Sequence, residues 1–436
     1  MPNRGRVRAI DVVIIGGGIG GLTAALTLHQ LGIGCTVYES VRELKPLGLG
    51  INLQPYCVRE LFQLGLEERV RDLGIPAKGL AYHTLRGQHV LTEKLGSEAG
   101  FDWPQFHMHR GAFHAMLADE VRRRLGPEAL KLGHRCARIE QADGKAIAYL
   151  VSRDTDESLT VSADLLIGAD GVHSTVRAHF YPDEKPPHWN RVIMWRGATN
   201  DVQIFDGHTM VITGTYKHKF VAYQVKKPPE DRRPGEADVM LNWLCELIMP
   251  EDTDYGVDDW DRRGSLEDFA DRFDDWVFDW VNVPDVIARN IGIWEFPMVD
   301  RDPLPQWAFG TVALLGDAAH PITPLGSNGA SLAIVDARTL GRELVTHPGD
   351  PEAALKAYEA ERLPAMTRVL GGNRKGGPEH FMPLVEQRAP NGFDDIRDVL
   401  SEEELDIAQN YRALTGLTTD IVNNVRSLIP PEHFVN

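Results

Sequence analysis

The residues of this 436-residue chain best spaced for chemistry are glycines. Gly16, Gly18 and Gly21 form a Gly-x-Gly-x-x-Gly run with Ile19 and Gly20 inside it. In such a run the first glycine permits a tight turn, the second lets a pyrophosphate approach the backbone, and the third lets a helix pack closely on a strand. The anion then rests on the positive end of that helix. Glu39 follows about 20 residues on, the distance at which an acid reaches ribose hydroxyls. The motif predicts a dinucleotide but does not separate FAD from NAD, because both carry an adenosine ribose and a pyrophosphate.

Two later motifs separate them. The first is Gly168-Ala169-Asp170-Gly171-Val172-His173-Ser174-Thr175-Val176-Arg177. The second is Leu315-Gly316-Asp317-Ala318-Ala319-His320-Pro321, followed by Pro324-x-Gly326-Ser327-Asn328-Gly329. With these the chain resembles the class A flavoprotein aromatic hydroxylases, the family of para-hydroxybenzoate and salicylate hydroxylases. The resemblance implies that Asp317 hydrogen-bonds the ribityl chain of FAD, and that Asp170 and Arg177 serve both FAD and the nicotinamide nucleotide. It also sets Arg110, in His109-Arg110-Gly111, against the FAD pyrophosphate, and the backbone at Cys136 near the adenine. Asn328 stands where many relatives have Gln, and still offers an amide.

The stretches Pro46 to Pro55, Met194 to Gly197, Asn242-Trp243-x-Cys245 and Pro297 to Pro305 resemble the phenazine branch of that family. The first of these adds Gln54 to the cofactor-binding set. The likeness runs from about residue 10 to about residue 370 and fades beyond. It implies a monooxygenase that spends NADH or NADPH and O2 to hydroxylate a small aromatic or N-heteroaromatic substrate, phenazine-like or phenolic, through a flavin C4a-hydroperoxide. A related FAD-dependent oxidase or reductase without oxygen insertion is the alternative, and a non-catalytic binding protein is a more distant one.

Such a site must exclude water and aim donors at developing charge. The turn from Pro321 to Gly329 is rich in backbone amides for that purpose. His320, beside the flavin motif, is a catalytic candidate against a histidine that only shapes the loop. Arg196 is weighed as a receptor for a ring carboxylate against a structural ion pair. Tyr223, Trp195 and Trp243 suit an aromatic wall, with core packing at least as good a reading of each. His107-x-His109 has metal-ligand spacing without an acidic or cysteine cluster beside it, so no metal is expected.

These residues need elements to position them. The β-branched run from Ile10 to Ile15, the glycine turn, a helix from Leu22 to Leu31 ending at Gly32, and a strand from Thr36 to Glu39 make a βαβ unit. Apolar runs at 164–167 and 312–315 read as further parallel strands. Arg191–Trp195, His208–Tyr216, Phe220–Val225 and Val239–Leu247 read as an antiparallel sheet. The fold class is therefore α/β: a Rossmann-like FAD-binding domain over residues 1–80, 105–185 and 295–350, and an inserted antiparallel-sheet substrate domain over 81–104 and 186–294. Apolar residues from Leu266 to Val281 recur at helical spacing behind a Ser265/Asp268 capping box. Beyond Gly371 a linker is expected, then a helix capped by Ser401. Residues 351–436 form a helical C-terminal segment, read equally as a lid, a dimer contact or a wrap around the other domain.

Composition bounds the partners. At 43% hydrophobic and 25% charged residues the chain can bury a core, which excludes disorder. A net charge of −17 repels nucleic-acid phosphates and anionic membranes, leaving small molecules. Cys35, Cys57, Cys136 and Cys245 form no CxxC pair, which predicts reduced cytoplasmic thiols; a monomer or homodimer is expected. Arg4, Arg6 and Arg8 precede too short an apolar run for a signal peptide. Lys226, Lys227, Arg232 and Arg233, among prolines, read as solvated loop charges.

Overall fold

The run Asp11–Ile15 has no polar face to offer water, so both of its faces must be covered. In the computed structural model, which describes residues 10–44, 49–226, 238–253, 255–256, 262–410 and 417–435, Val12 to Ile15 are indeed buried. They lie inside a six-stranded sheet, with Leu165–Gly168 on one side and Gly34–Tyr38 on the other, both parallel. Val312–Leu314 adds in parallel beyond Leu165–Gly168, so the three motif-bearing strands are neighbours and end at one edge. The helices Ile19–Gln30 and Gly329–Thr346 pack against each other. Arg4, Arg6, Arg8, residues 46–48 of the phenazine-like stretch, and Lys227, Arg232 and Arg233 lie outside the described residues.

A seven-stranded sheet forms the second layer. Its strands His188–Asn200, Met240–Ile248, His218–Lys226 and Thr209–Thr215 pair antiparallel, in register with the strands read from sequence. Gly79–His83 then joins Thr209–Thr215 in parallel, and His89–Lys94 closes the edge. A period of two divides the residues between its faces. Trp195, Trp243, Cys245 and Phe220 fill one buried cluster; Met194, Leu244, Val221 and Tyr223 fill another.

Two expectations need correction. The helix expected over 266–281 is instead two short 3-10 turns, Leu266–Asp268 and Ala270–Phe273, followed by the small hairpin Val277–Phe278 with Val281–Asn282. The capping box forms, and Phe269, Phe273, Trp276 and Val281 are buried, so the apolar spacing reports burial but not the element. Aromatic residues are indifferent helix formers, and stacking Phe269 on Trp195 at 5.0 Å outweighs a regular helix. The linker expected after Gly371 is also wrong at its start. The helix Pro351–Arg374 continues through Gly371 and Gly372 because its last turn is held, Asn373 donating to the Thr323 carbonyl at 3.1 Å and Arg374 pairing with Asp300 at 2.6 Å.

Ser401 caps the helix Glu402–Asn410, its hydroxyl accepting from Glu404 N at 3.2 Å. The C-terminal segment touches both layers. Glu386 accepts from Leu85 N and Phe381 meets Tyr82 on the substrate-sheet side; on the other side Arg59 donates to the carbonyls of Val422 and Val425, and Val435 N reaches Gln30 O. Among the described residues no helix is long and apolar enough to cross a membrane.

Candidate active site

The glycine turn shows which of its residues the fold itself requires. Gly16 has φ +106°, and a Cβ there would stand 2.2 Å from Ala169 O; a Cβ on Gly21 would stand 2.0 Å from Gly16 O. A Cβ on Gly18 would meet nothing within 4 Å. Gly16 and Gly21 are thus demanded by the protein, whereas Gly18 faces open space where a ligand backbone fits. Gly17 is pinned on both sides, donating to Glu39 Oε2 at 2.6 Å while its carbonyl contacts His114 Nε2 at 2.6 Å. Glu39 Oε1 accepts from Val41 N at 2.9 Å. The Glu39 carboxylate, expected at ribose hydroxyls, thus also organises the glycine loop.

A cavity of about 430 Å³ opens from this turn. Gly18, Ile19 and Gly20 line it, together with Gln54, Arg110, Asp317, Pro324, Gly326 and Gly329. Arg110 and Asp317 are open to the cavity and make no hydrogen bond through their side chains to other described residues. Confinement between the cavity walls pushes the Asp317 carboxyl up, with His320 and Arg110 pulling it back. The same desolvation lowers the Arg110 guanidinium, which Asp317 opposes. A cation and a hydrogen-bond acceptor left free beside a glycine cradle fit a pyrophosphate and a polyol, the two polar parts of FAD.

Several expected site residues stand behind the cavity instead. Asp170 accepts from Thr175 N at 2.7 Å, Val176 N at 3.2 Å and the Ser174 hydroxyl, so it caps the helix Thr175–Phe180; its neighbours Ala169 and Gly171 line the cavity. Arg177 donates to Ala318 O at 3.1 Å and Ala319 O at 3.0 Å, tying the second motif to the third. His320 does not line the cavity. Its Nε2 lies 2.5 Å from Asp336 Oδ2, and Arg362 Nε holds the other oxygen at 2.7 Å. Burial raises the Asp336 pKa, but His320 and Arg362 outweigh it and hold the carboxyl low. Gly316 N also donates to Asp336, so His320 shares a carboxylate with the Gly316–Ala318 turn, the geometry of the loop-shaping alternative weighed for it. Cys136 is buried in the strand His134–Ala142, its thiol pushed up to about 12 by burial and then by Asp170.

The turn at 324–329 carries left-handed residues Gly326 (φ +74°) and Ser327 (φ +55°). It is held by the strand Gly50–Leu53 and the residues that follow it. Asn52 donates to Ser327 Oγ at 3.0 Å, Gln54 Nε2 approaches Gly326 O at 3.4 Å, and Tyr56 donates to Asn328 Oδ1 at 2.9 Å. The Asn328 amide is therefore turned to Tyr56 rather than into the cavity.

On the substrate-sheet side Arg196 and Tyr223 both line the cavity. Arg196 Nη2 donates to Gly50 O at 2.8 Å, and Asn242 Oδ1 accepts from Gly50 N at 2.6 Å, so the backbone of one residue joins the two layers. Burial lowers the Arg196 pKa, with Tyr223 opposing, and its Nε is buried without a partner. Trp195 and Trp243 point through the other face, donating to Glu295 at 2.8 Å and Thr199 at 3.0 Å; they are core residues. His109 caps the helix Arg110–Leu125, and His107 is buried with neither ring nitrogen bonded. Among the described residues no group of three His, Cys, Asp or Glu is placed to hold a metal.

Sequence reasoning missed His114, Lys219, Glu246 and Glu379. Lys219 is 1% exposed and bridges Glu246 at 2.7 Å and Glu379 at 2.8 Å, and all three line the cavity. Alternation alone assigns Lys219 and Glu246 to the same face as Val221 and Leu244, which was the available signal. Nothing in sequence links Glu379 to them.

Comparison with known proteins agrees with this geometry. Residues 9–222 and 258–372 match a family model described as an FAD binding domain. Phenazine 1,6-dicarboxylic acid hydroxylase of Lysobacter antibioticus is 40% identical over 84% of this chain and 89% of that protein. 3-Amino-4-hydroxybenzoate 2-monooxygenase of Streptomyces cremeus is 30% identical over 86% and 89%. The crystal structure of Klebsiella pneumoniae HpxO with FAD and uric acid shares the fold at TM-score 0.69 and 23% identity, covering 96% of each chain. The chain belongs to the FAD binding domain family of flavoproteins.

Proposed function

We propose that this chain is an FAD-dependent monooxygenase that uses NADH or NADPH and O2 to hydroxylate a small aromatic or N-heteroaromatic ring, phenazine-like or phenolic. The observation that carries this reading is the continuity of one cavity from the glycine turn and Asp317 to the apolar face of the substrate sheet. The hydroxylase and monooxygenase relatives support it.

When bound, FAD supplies the redox chemistry, accepting hydride from the nicotinamide and activating oxygen. The chain's own residues bind, orient and keep the site dry. In this reading Gly18 and the amides opening the helix Ile19–Gln30 receive the pyrophosphate, Arg110 neutralises it, and Asp317 accepts from ribityl hydroxyls. Leu80, Met210, Ile212, Val221 and Leu244 exclude water around the ring, which protects an oxygen-transfer step from hydrolytic side reactions. Arg196 orients an anionic ring substituent.

The purified protein is expected to be yellow, and to oxidise NAD(P)H faster when a phenazine or phenol is added. With labelled oxygen gas the product should carry one labelled atom. A confirmed product without label would exclude insertion and leave an oxidase or reductase.

A further inference from the structure

The far end of the cavity carries charge that no cofactor motif explains. Lys219, Glu246 and Glu379 are each under a tenth exposed, in a wall otherwise made of Leu80, Met210 and Val221. Lys219 Nζ takes Oε2 of both carboxylates. Oε1 of Glu246 and of Glu379 makes no hydrogen bond among the described residues. Two carboxylates share one ammonium, so these three groups alone carry a formal excess of negative charge, with Arg196 the next cation and burial pushing the Glu246 carboxyl up. A buried charge without a full set of partners is costly. The cluster is therefore built to be completed by something in the cavity.

Its position in the chain separates it from the cofactor machinery. Gly18, Arg110, Asp170 and Asp317 fall within the segments matched by the family model, whereas Glu246 and Glu379 fall outside them. Glu379 comes from the C-terminal segment, 160 residues from Lys219. Lys219 lies inside the matched segments, so the two acids, and not the ammonium, are what this chain adds at the substrate end.

Resting on the aromatic-substrate reading above, we propose that Lys219, Glu246 and Glu379 form a substrate receptor for a hydrogen-bond-donating ring substituent, a hydroxyl, amino or ring N–H, and that Glu379 makes it selective against a carboxylate at that end. A donor satisfies the free Oε1 atoms. A carboxylate would add a third negative charge to one ammonium, and is better placed at Arg196, nearer the Gly50 peptide. Replacing Glu379 leaves Lys219 paired with Glu246, so the cluster becomes balanced rather than orphaned.

The test uses full-length, FAD-loaded protein titrated with two matched tricyclic probes, 1-hydroxyphenazine and phenazine-1-carboxylate, read by perturbation of the flavin absorbance. Glu379→Gln should weaken the hydroxy probe about ten-fold, as expected for losing a charge-assisted hydrogen bond. The carboxylate probe should be unchanged or tighter. Glu246→Gln, which keeps the Lys219–Glu379 pair, should shift the ratio of the two affinities the same way and serves if the first variant fails to load flavin. Equal weakening of both probes, or no change in their ratio, overturns the receptor. Wild-type protein that binds neither probe nor any phenol overturns the aromatic-substrate reading itself, a distinguishable result.

Discussion

At the cofactor end of the cavity the fold presents backbone: the open space over Gly18, the left-handed turn at Gly326 and Ser327, and, among the described residues, two free side-chain charges, Arg110 and Asp317. At the substrate end it presents side chains on one face of a sheet, apolar except for Arg196, Tyr223 and the Lys219 cluster. The first arrangement rests on main-chain shape and two charges, as suits a ligand of fixed shape. The second changes with single substitutions on alternate sheet positions, so related chains can keep one cofactor and vary the ring.

The largest break in that contrast should come from the glycines. Gly16→Ala forces a Cβ onto Ala169 O in a left-handed backbone and should cost about 3 kcal/mol or more of folding stability, measured by denaturant melts. Gly18→Val should leave the melting midpoint of the flavin-free protein within a few degrees and yet strip flavin, because only the ligand occupies that space. Next, Asp317→Ala should purify folded with flavin content below about a tenth of wild type, a loss of order 1.5–3 kcal/mol in binding; full flavin content would show that Asp317 does not hold the cofactor. Arg196→Met should invert the pattern, keeping flavin while raising KM for a carboxylated ring about ten-fold.

The smallest effect belongs to the layer behind both ends. His320→Asn should cost about 1–3 kcal/mol of stability at neutral pH with flavin retained. Because Asp336 is held below its ordinary pKa partly by His320, that contribution is present above about pH 4 and is lost as the pH falls through the carboxylate range. The deficit of the variant should therefore shrink in acid melts. A variant that melts normally but turns over ten-fold slower would restore His320 to a catalytic role.

What was legible in sequence follows the same division. Gly16, Gly18, Gly21 and the strand before them were readable because a strand-to-helix turn is local and its glycines have local reasons, whereas Asp317 was singled out only by resemblance to a family. Roles that depend on long-range partners were not. Asp170 and Arg177 read as ligand contacts, but Asp170 caps its own helix and Arg177 grips carbonyls 141 and 142 residues away. The apolar period over 266–281 marked buried rings correctly and the element wrongly, since stacking on Trp195 replaced helical hydrogen bonding. Lys219 and Glu246 were each ordinary charged residues until a neighbouring strand and a distant turn brought them together.

The strand order of the six-stranded sheet also bears on how the protein is made. Its first strand, Asp11–Ile15, must wait for Leu165–Gly168 and then for Val312–Leu314 before the three motifs meet. Sheets that join such distant segments fold slowly. On the ribosome the glycine turn emerges before Leu165–Gly168, Val312–Leu314 and Asp317, its partners in the sheet. Flavin capture thus waits at least until Val312–Leu314 and Asp317 have been made and paired, so flavin supply from that stage on should govern the yield of active protein.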